Sequence, residues 1–148
     1  MIHYKKREEL DIDKYNFCVE NSIQSRVYAF SWYLDIVSDN WDALVLNDYE
    51  AVMPIPWNSK FGLKYVVQPC FCQQLNVYSK RNIDKTILDK FFKSIPIRYL
   101  FNNLNLGFQI IHKDIITKQN FILELNKTYD IVFKNYRKKI NIEKYGGL

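Results

Sequence analysis

The sequence predicts an α+β domain in which a mixed, mostly antiparallel sheet is flanked by helices. Apolar residues recur at helical spacing in roughly the first 38 positions, alternate along strands from Ala43 to Val67, and return to helical spacing from Asp84. The predicted order is two helices, three strands, a helix, further strands and a basic helix, which is typical of the α+β class. A chain of 148 residues is the length of one ordinary domain.

The first predicted elements are a short edge strand over residues 2 to 6 and two helices. Asp11 is a good N-cap for a helix that ends near Glu20, since Ile12, Tyr15 and Val19 then share one face. The second helix is predicted from about Ser25 to the Ser38-Asp39-Asn40 run. Its apolar stripe consists of Val27, Phe30, Leu34 and Val37.

Three antiparallel strands are predicted next. The first covers Ala43–Leu46 and is followed by a tight turn at Asn47-Asp48; the second covers Glu50–Trp57, and a turn over residues 58 to 62 leads into the third. Proline has no backbone N–H to donate to a neighbouring strand. Pro54 and Pro56 should therefore face an unpaired edge or a bulge.

The remaining elements are a helix over Asp84–Ser94, strands over Ile97–Phe101, Phe108–Ile111 and Asn120–Leu125, and a last helix. Asn126 or Thr128 should cap that helix, which carries Ile131, Val132 and Tyr136 on one side. We therefore expect a single domain over residues 1–148 in which residues 129–148 form a basic C-terminal helix and tail.

The positive charge is concentrated at the C-terminal end. The net charge is +5, and residues 134 to 148 hold five Lys or Arg against one Glu. A solvated helix end is the ordinary interpretation of such a run. The alternative is RNA binding, including tRNA, through Arg137, Lys138 and Lys139.

The sequence indicates a cytoplasmic protein without a membrane span, because no apolar run is long enough and the N-terminus has no signal region. Three cysteines without framework spacing indicate reduced thiols. Cys70 and Cys72 would share one face of a strand. No second pair of ligands accompanies them, so no metal site is expected.

Catalytic residues are not recognisable, and the best candidate site is an aromatic and amide cluster. The sequence lacks a glycine-rich phosphate loop, a Gly-x-Ser-x-Gly elbow and a His-Glu-x-x-His motif. Neutral amides beside aromatic rings suit a peptide, sugar or amide substrate, although the same residues could be structural. The candidate substrate-binding residues are Trp32, Tyr33, Gln68, Phe71, Gln73 and Gln74.

Four segments together resemble the N-terminal half of a Fem-like acyltransferase, a group within the GNAT superfamily with many uncharacterised bacterial members. They are Tyr28–Leu34, Trp41–Val45, Val52–Trp57 and Gln68–Leu75. The resemblance implies a GNAT-like fold and an acyl-transfer cleft between two halves, with acyl-CoA or aminoacyl-tRNA as co-substrate. The chain would help to form the acceptor side of that cleft for a small-molecule or peptide-like acceptor.

Three departures from the family pattern shape this expectation. Relatives continue into a second half beyond the position of Tyr136, the loop that grips the CoA pyrophosphate is absent, and Cys70 stands in place of a second proline. We therefore expect a truncated acyltransferase half that is inactive alone and is completed by a second half. The alternative is a non-catalytic binding or assembly module that docks on another chain or forms a homo-oligomer.

Overall fold

The computed structural model of the chain describes residues 1–106 and 128–134. The chain divides into two compact units, residues 1–115 and 116–148, and the sheet lies in the first. Five strands follow the order β1-β2-β3-β4-β6, and β5 pairs with β3. The strands are β1 Ile2–Lys6, β2 Asn40–Leu46, β3 Ala51–Lys60, β4 Leu63–Val67, β5 Tyr78–Ser79 and β6 Tyr99–Asn103.

All described strand pairs are antiparallel except β4 with β6, which is parallel. The predicted α+β class with a mixed, mostly antiparallel sheet is therefore confirmed. The edge strand predicted over residues 2 to 6 is also confirmed, because β1 pairs only with β2 among the described strands.

The first unit has three layers. Helices α1 (Ile12–Glu20) and α2 (Ser31–Val37) cover one face of the sheet, and α3 (Lys85–Lys93) covers the other. Alternation along the strands divides the core accordingly, since successive side chains point to opposite faces. Val45 and Val52 pack with the α1 and α2 side, whereas Leu44 and Met53 pack with the α3 side.

The first helix begins where the sequence predicts, and the second does not. Asp11 caps α1 by accepting a hydrogen bond from Lys14 N at 3.1 Å. The predicted start of α2 at Ser25 is wrong: a 3-10 turn covers Val27–Ala29, and Phe30 is extended (φ −63°, ψ 142°). Asn16 on α1 accepts from Ser31 N at 3.0 Å, so a tertiary contact sets the start of α2.

The two prolines of β3 lie where their missing N–H groups cost nothing. Residues 53 to 56 pair with β2, but among the described strands β5 reaches only Val52 and β4 begins pairing at Trp57. The predicted gap beside Pro54 and Pro56 is therefore confirmed.

The β3–β4 turn is tighter than predicted. β3 extends to Lys60, and only Phe61 and Gly62 connect it to β4, with φ of 53° and 78°. Positive φ at both residues is the geometry of a two-residue hairpin. The Asn47-Asp48 turn is correspondingly longer, because four residues, 47 to 50, join β2 to β3.

Later elements agree in part. Asp84 caps α3 by accepting from Ile87 N at 2.8 Å, which confirms that helix, whereas β6 begins at Tyr99 instead of Ile97. β5 was not predicted. Helix α4, Tyr129–Lys134, lies in the second unit and follows Thr128, one of the two predicted caps. The strands predicted over residues 108–111 and 120–125 lie outside the described residues, as do Asn126 and Tyr136.

Candidate functional site

The predicted aromatic residues of α2 lie on the outside of the molecule. The indole of Trp32 is 52% exposed, and its ring centroid is 5.8 Å from that of Tyr33 and 6.0 Å from that of Phe30. Tyr28 packs edge-on against Tyr33 at 5.8 Å. Together with Phe71 these four residues form what we call the aromatic surface.

Phe71 joins this surface from a distant part of the sequence. Its side chain is 86% exposed, and its φ of 65° lies in the left-handed region, which is uncommon for a bulky residue. The hydroxyl of Tyr33 donates a hydrogen bond to the Phe71 carbonyl oxygen at 2.9 Å. The structure therefore brings α2 and the loop after β4 together, as the candidate site requires.

Gln68 supports this loop from within. Its Nε2 donates to the carbonyl oxygen of Cys72 at 3.0 Å, and its Oε1 accepts from Asn105 N at 3.1 Å. Leu75 N donates in turn to the Asn105 carbonyl oxygen at 2.8 Å. Both ends of the Gln68 amide thus hold the 68–75 segment in place.

The other two predicted glutamines follow Cys72 in the same segment. Gln73 is exposed and Gln74 is half-buried. Their amides are therefore within the solvent-facing part of the loop that carries Phe71, whereas the next residue, Leu75, is buried in the core on the α1 and α2 side.

The three cysteines differ in accessibility. Cys70 is exposed, whereas Cys18 and Cys72 are buried. Burial disfavours the thiolate and raises the pKa of both buried thiols to about 11. Within residues 1–106 and 128–134, no three His, Cys, Asp or Glu side chains are grouped so as to hold a metal ion.

We expect one thiol per native chain to react rapidly with a chromogenic disulfide reagent at pH 8. Cys70 is accessible, while burial and a raised pKa protect Cys18 and Cys72. The measurement is the number of fast-reacting thiols before and after denaturation, with Cys70→Ser as the control. Fast reaction of two or three native thiols would contradict the packing of Cys18 or Cys72.

Sequence reasoning missed a buried carboxylate, Asp42. Its side chain is only 6% exposed and accepts hydrogen bonds from Trp57 Nε1 at 2.8 Å, Arg7 N at 3.0 Å and, at a longer 3.4 Å, the Tyr99 hydroxyl. The Tyr4 hydroxyl also donates to it. One signal was present, because Asp42 occupies an otherwise apolar strand position on the face that also carries Leu44.

This network joins strands from both edges of the sheet. Tyr4 on β1 and Tyr99 on β6 share a hydrogen bond at 2.7 Å, although three strands separate β1 from β6. The right-handed twist of sheets and two long side chains account for this approach. Burial, followed by the hydrogen bond to Asp42, raises the pKa of Tyr4, so both phenols remain neutral hydrogen-bond donors at neutral pH.

A polar cleft of about 230 Å³ lies beside Asp42, between the end of α2 and the start of β2. Arg7 donates to Asp35 from Nε and Nη2 at 2.9 and 2.7 Å, and this pairing lowers the pKa of the Asp35 carboxyl. Trp41 Nε1 donates to the same carboxylate at 2.8 Å. Other residues that line the cleft are Glu8, Ser38, Asp39 and Trp57.

The RNA-binding alternative rests on Arg137, Lys138 and Lys139, which lie outside the described residues. That interpretation stays a prediction.

Comparison with known proteins returns nothing: no family model matches the sequence, and neither the curated proteins nor the solved structures give a match. The Fem-like resemblance therefore stays a prediction. In the part of the chain that the structure describes, no helix is long and apolar enough to cross a membrane.

Proposed function

We propose that this chain forms the acceptor side of an acyl-transfer cleft and that the aromatic surface binds the acceptor. The hydrogen bond between Tyr33 and the Phe71 carbonyl carries the proposal, because it joins two segments 38 residues apart into one exposed surface. Large exposed aromatic side chains are costly to leave in water, and a contiguous group of them is typical of a binding site.

The chemistry of the aromatic surface favours a sugar or peptide acceptor. The exposed rings of Trp32 and Phe71 offer flat apolar contacts, and the loop amides of Gln73 and Gln74 can donate and accept hydrogen bonds without adding charge. A UDP-linked sugar or a short peptide combines these features. Gln68 contributes indirectly by fixing the loop.

In the proposed reaction the acceptor amine attacks the carbonyl carbon of an activated acyl group. The new C–N bond forms as the bond to the CoA sulfur or to the tRNA ribose oxygen breaks, and the amine proton leaves with the departing group or solvent. The reaction needs orientation and oxyanion stabilisation but no nucleophilic side chain. A second half or a partner chain supplies the donor site, and the cytoplasm supplies both kinds of donor.

Replacing Phe71 with alanine tests this proposal. We expect Phe71→Ala and Trp32→Ala each to weaken binding of UDP-N-acetylglucosamine or an alanyl dipeptide about tenfold, as removal of a central aromatic contact does. Isothermal titration calorimetry is the measurement.

Phe61→Ala is the matched control, because Phe61 is also exposed (92%) and also has a positive φ (53°) but lies in the β3–β4 hairpin. It should leave the affinity unchanged. Equal losses from Phe61→Ala and Phe71→Ala, or unchanged affinity in both Phe71→Ala and Trp32→Ala, would contradict acceptor binding at the aromatic surface.

A further inference from the structure

We infer that the cleft beside Asp42 binds a small organic ammonium ion. This inference is independent of the proposed function, because it concerns the C-terminal end of α2 and residues outside the aromatic surface. Three observations support it: the charge of the cleft, the state of its two indoles, and a buried hydroxyl that lacks a partner.

The cleft is acidic on a basic chain. Four carboxylates, those of Glu8, Asp35, Asp39 and Asp42, line it against one guanidinium, whereas the net charge of the whole chain is +5. That guanidinium belongs to Arg7 and is held by Asp35 through two hydrogen bonds. The cleft therefore attracts a cation and offers little to an anion.

Both indoles that line the cleft already lie beside cations of this chain. The Lys64 ammonium is 3.6 Å from the centre of the Trp57 ring, and the Arg7 guanidinium is 5.1 Å from that of Trp41. Indole faces attract ammonium groups through their quadrupole. The wall of the cleft thus has the chemistry that recognises an amine with an apolar body.

Ser38 supplies the observation that points to a missing partner. Its Oγ atom is buried, lines the cleft and has no hydrogen-bond partner among the described residues. A buried hydroxyl without a partner costs free energy, which a ligand N–H group would recover. The four carboxylates are not grouped closely enough to hold a metal ion, and this spacing favours a larger organic cation.

The indole N–H resonances of the three tryptophans provide the test in the intact chain. Trp41 and Trp57 line the cleft, whereas Trp32 lies on the aromatic surface and serves as an internal reference. We expect cadaverine to shift the Trp41 and Trp57 resonances saturably in ¹H–¹⁵N spectra and to leave Trp32 in place. The neutral isostere 1,5-pentanediol should shift none of them.

Two variants sharpen the test. Asp39→Asn should weaken cadaverine binding about fivefold, since it removes one charge at close range, while Asp13→Asn on the exposed face of α1 should not. Ser38→Ala should weaken binding without lowering the melting temperature, because its hydroxyl has no partner to lose.

The inference is overturned if cadaverine causes no saturable shift, if it shifts all three indoles alike, or if the diol acts equally. A shift of Trp32 alone also overturns it and assigns the amine to the aromatic surface. Equal weakening by Asp13→Asn and Asp39→Asn would reduce the effect to the overall charge of the chain.

Discussion

Replacing Asp42 with alanine is expected to lower the free energy of unfolding by about 3 to 5 kcal/mol. The carboxylate is 6% exposed, and its removal leaves the donors of Tyr4, Trp57 and Arg7 without an acceptor in a buried place. An unsatisfied buried donor costs more than the hydrogen bond itself contributes. Urea denaturation followed by circular dichroism measures the change.

Asp42→Asn should cost less than Asp42→Ala, because the remaining oxygen still accepts. Asp48→Ala is the matched control, since the Asp48 side chain is 77% exposed and pairs only with Lys14 at the surface, and it should leave stability nearly unchanged. Equal denaturation midpoints for Asp42→Ala and Asp48→Ala would mean that the network does not contribute to folding.

Replacing Phe91 with alanine is expected to lower the free energy of unfolding by about 3 to 5 kcal/mol. The Phe91 ring is fully buried and packs, together with Leu88, in the core that α3 forms with the sheet. Its truncation leaves a cavity in addition to the lost burial of apolar surface. The same denaturation measurement applies.

Phe61→Ala again provides the control, because that ring is 92% exposed. The free energy of unfolding should hardly change in this variant. A loss of less than about 1 kcal/mol in Phe91→Ala would contradict the packing of α3 on the sheet.

The sequence predicted those elements whose signals are local. Asp11 and Asp84 cap helices by bonding to N–H groups three residues ahead, so their roles can be inferred from spacing alone. Pro54 and Pro56 likewise predicted a gap in strand pairing. The start of α2 was wrong because it depends on Asn16, a residue of the preceding helix. Spacing within a segment cannot show such a contact.

The candidate site divides in the same way. The aromatic character of Trp32, Tyr33 and Phe71 could be inferred from residue type, and their exposure agrees with a binding surface. The supporting role of Gln68 depends on Asn105, which is 37 residues away. The Asp42 network could not be predicted, because it needs Tyr4 and Tyr99 from opposite edges of the sheet.

The central claim is that this chain binds an acceptor and not the acyl donor. Thermal melting of the unmodified chain with UDP-linked sugars, CoA, acetyl-CoA and bulk tRNA tests it most directly. A ligand at a hundredfold excess over its dissociation constant stabilises the folded state by about 2.7 kcal/mol. We predict a higher melting temperature with UDP-linked sugars alone. A shift with CoA compounds would place a donor site on this chain, and no shift with any ligand would contradict acceptor binding.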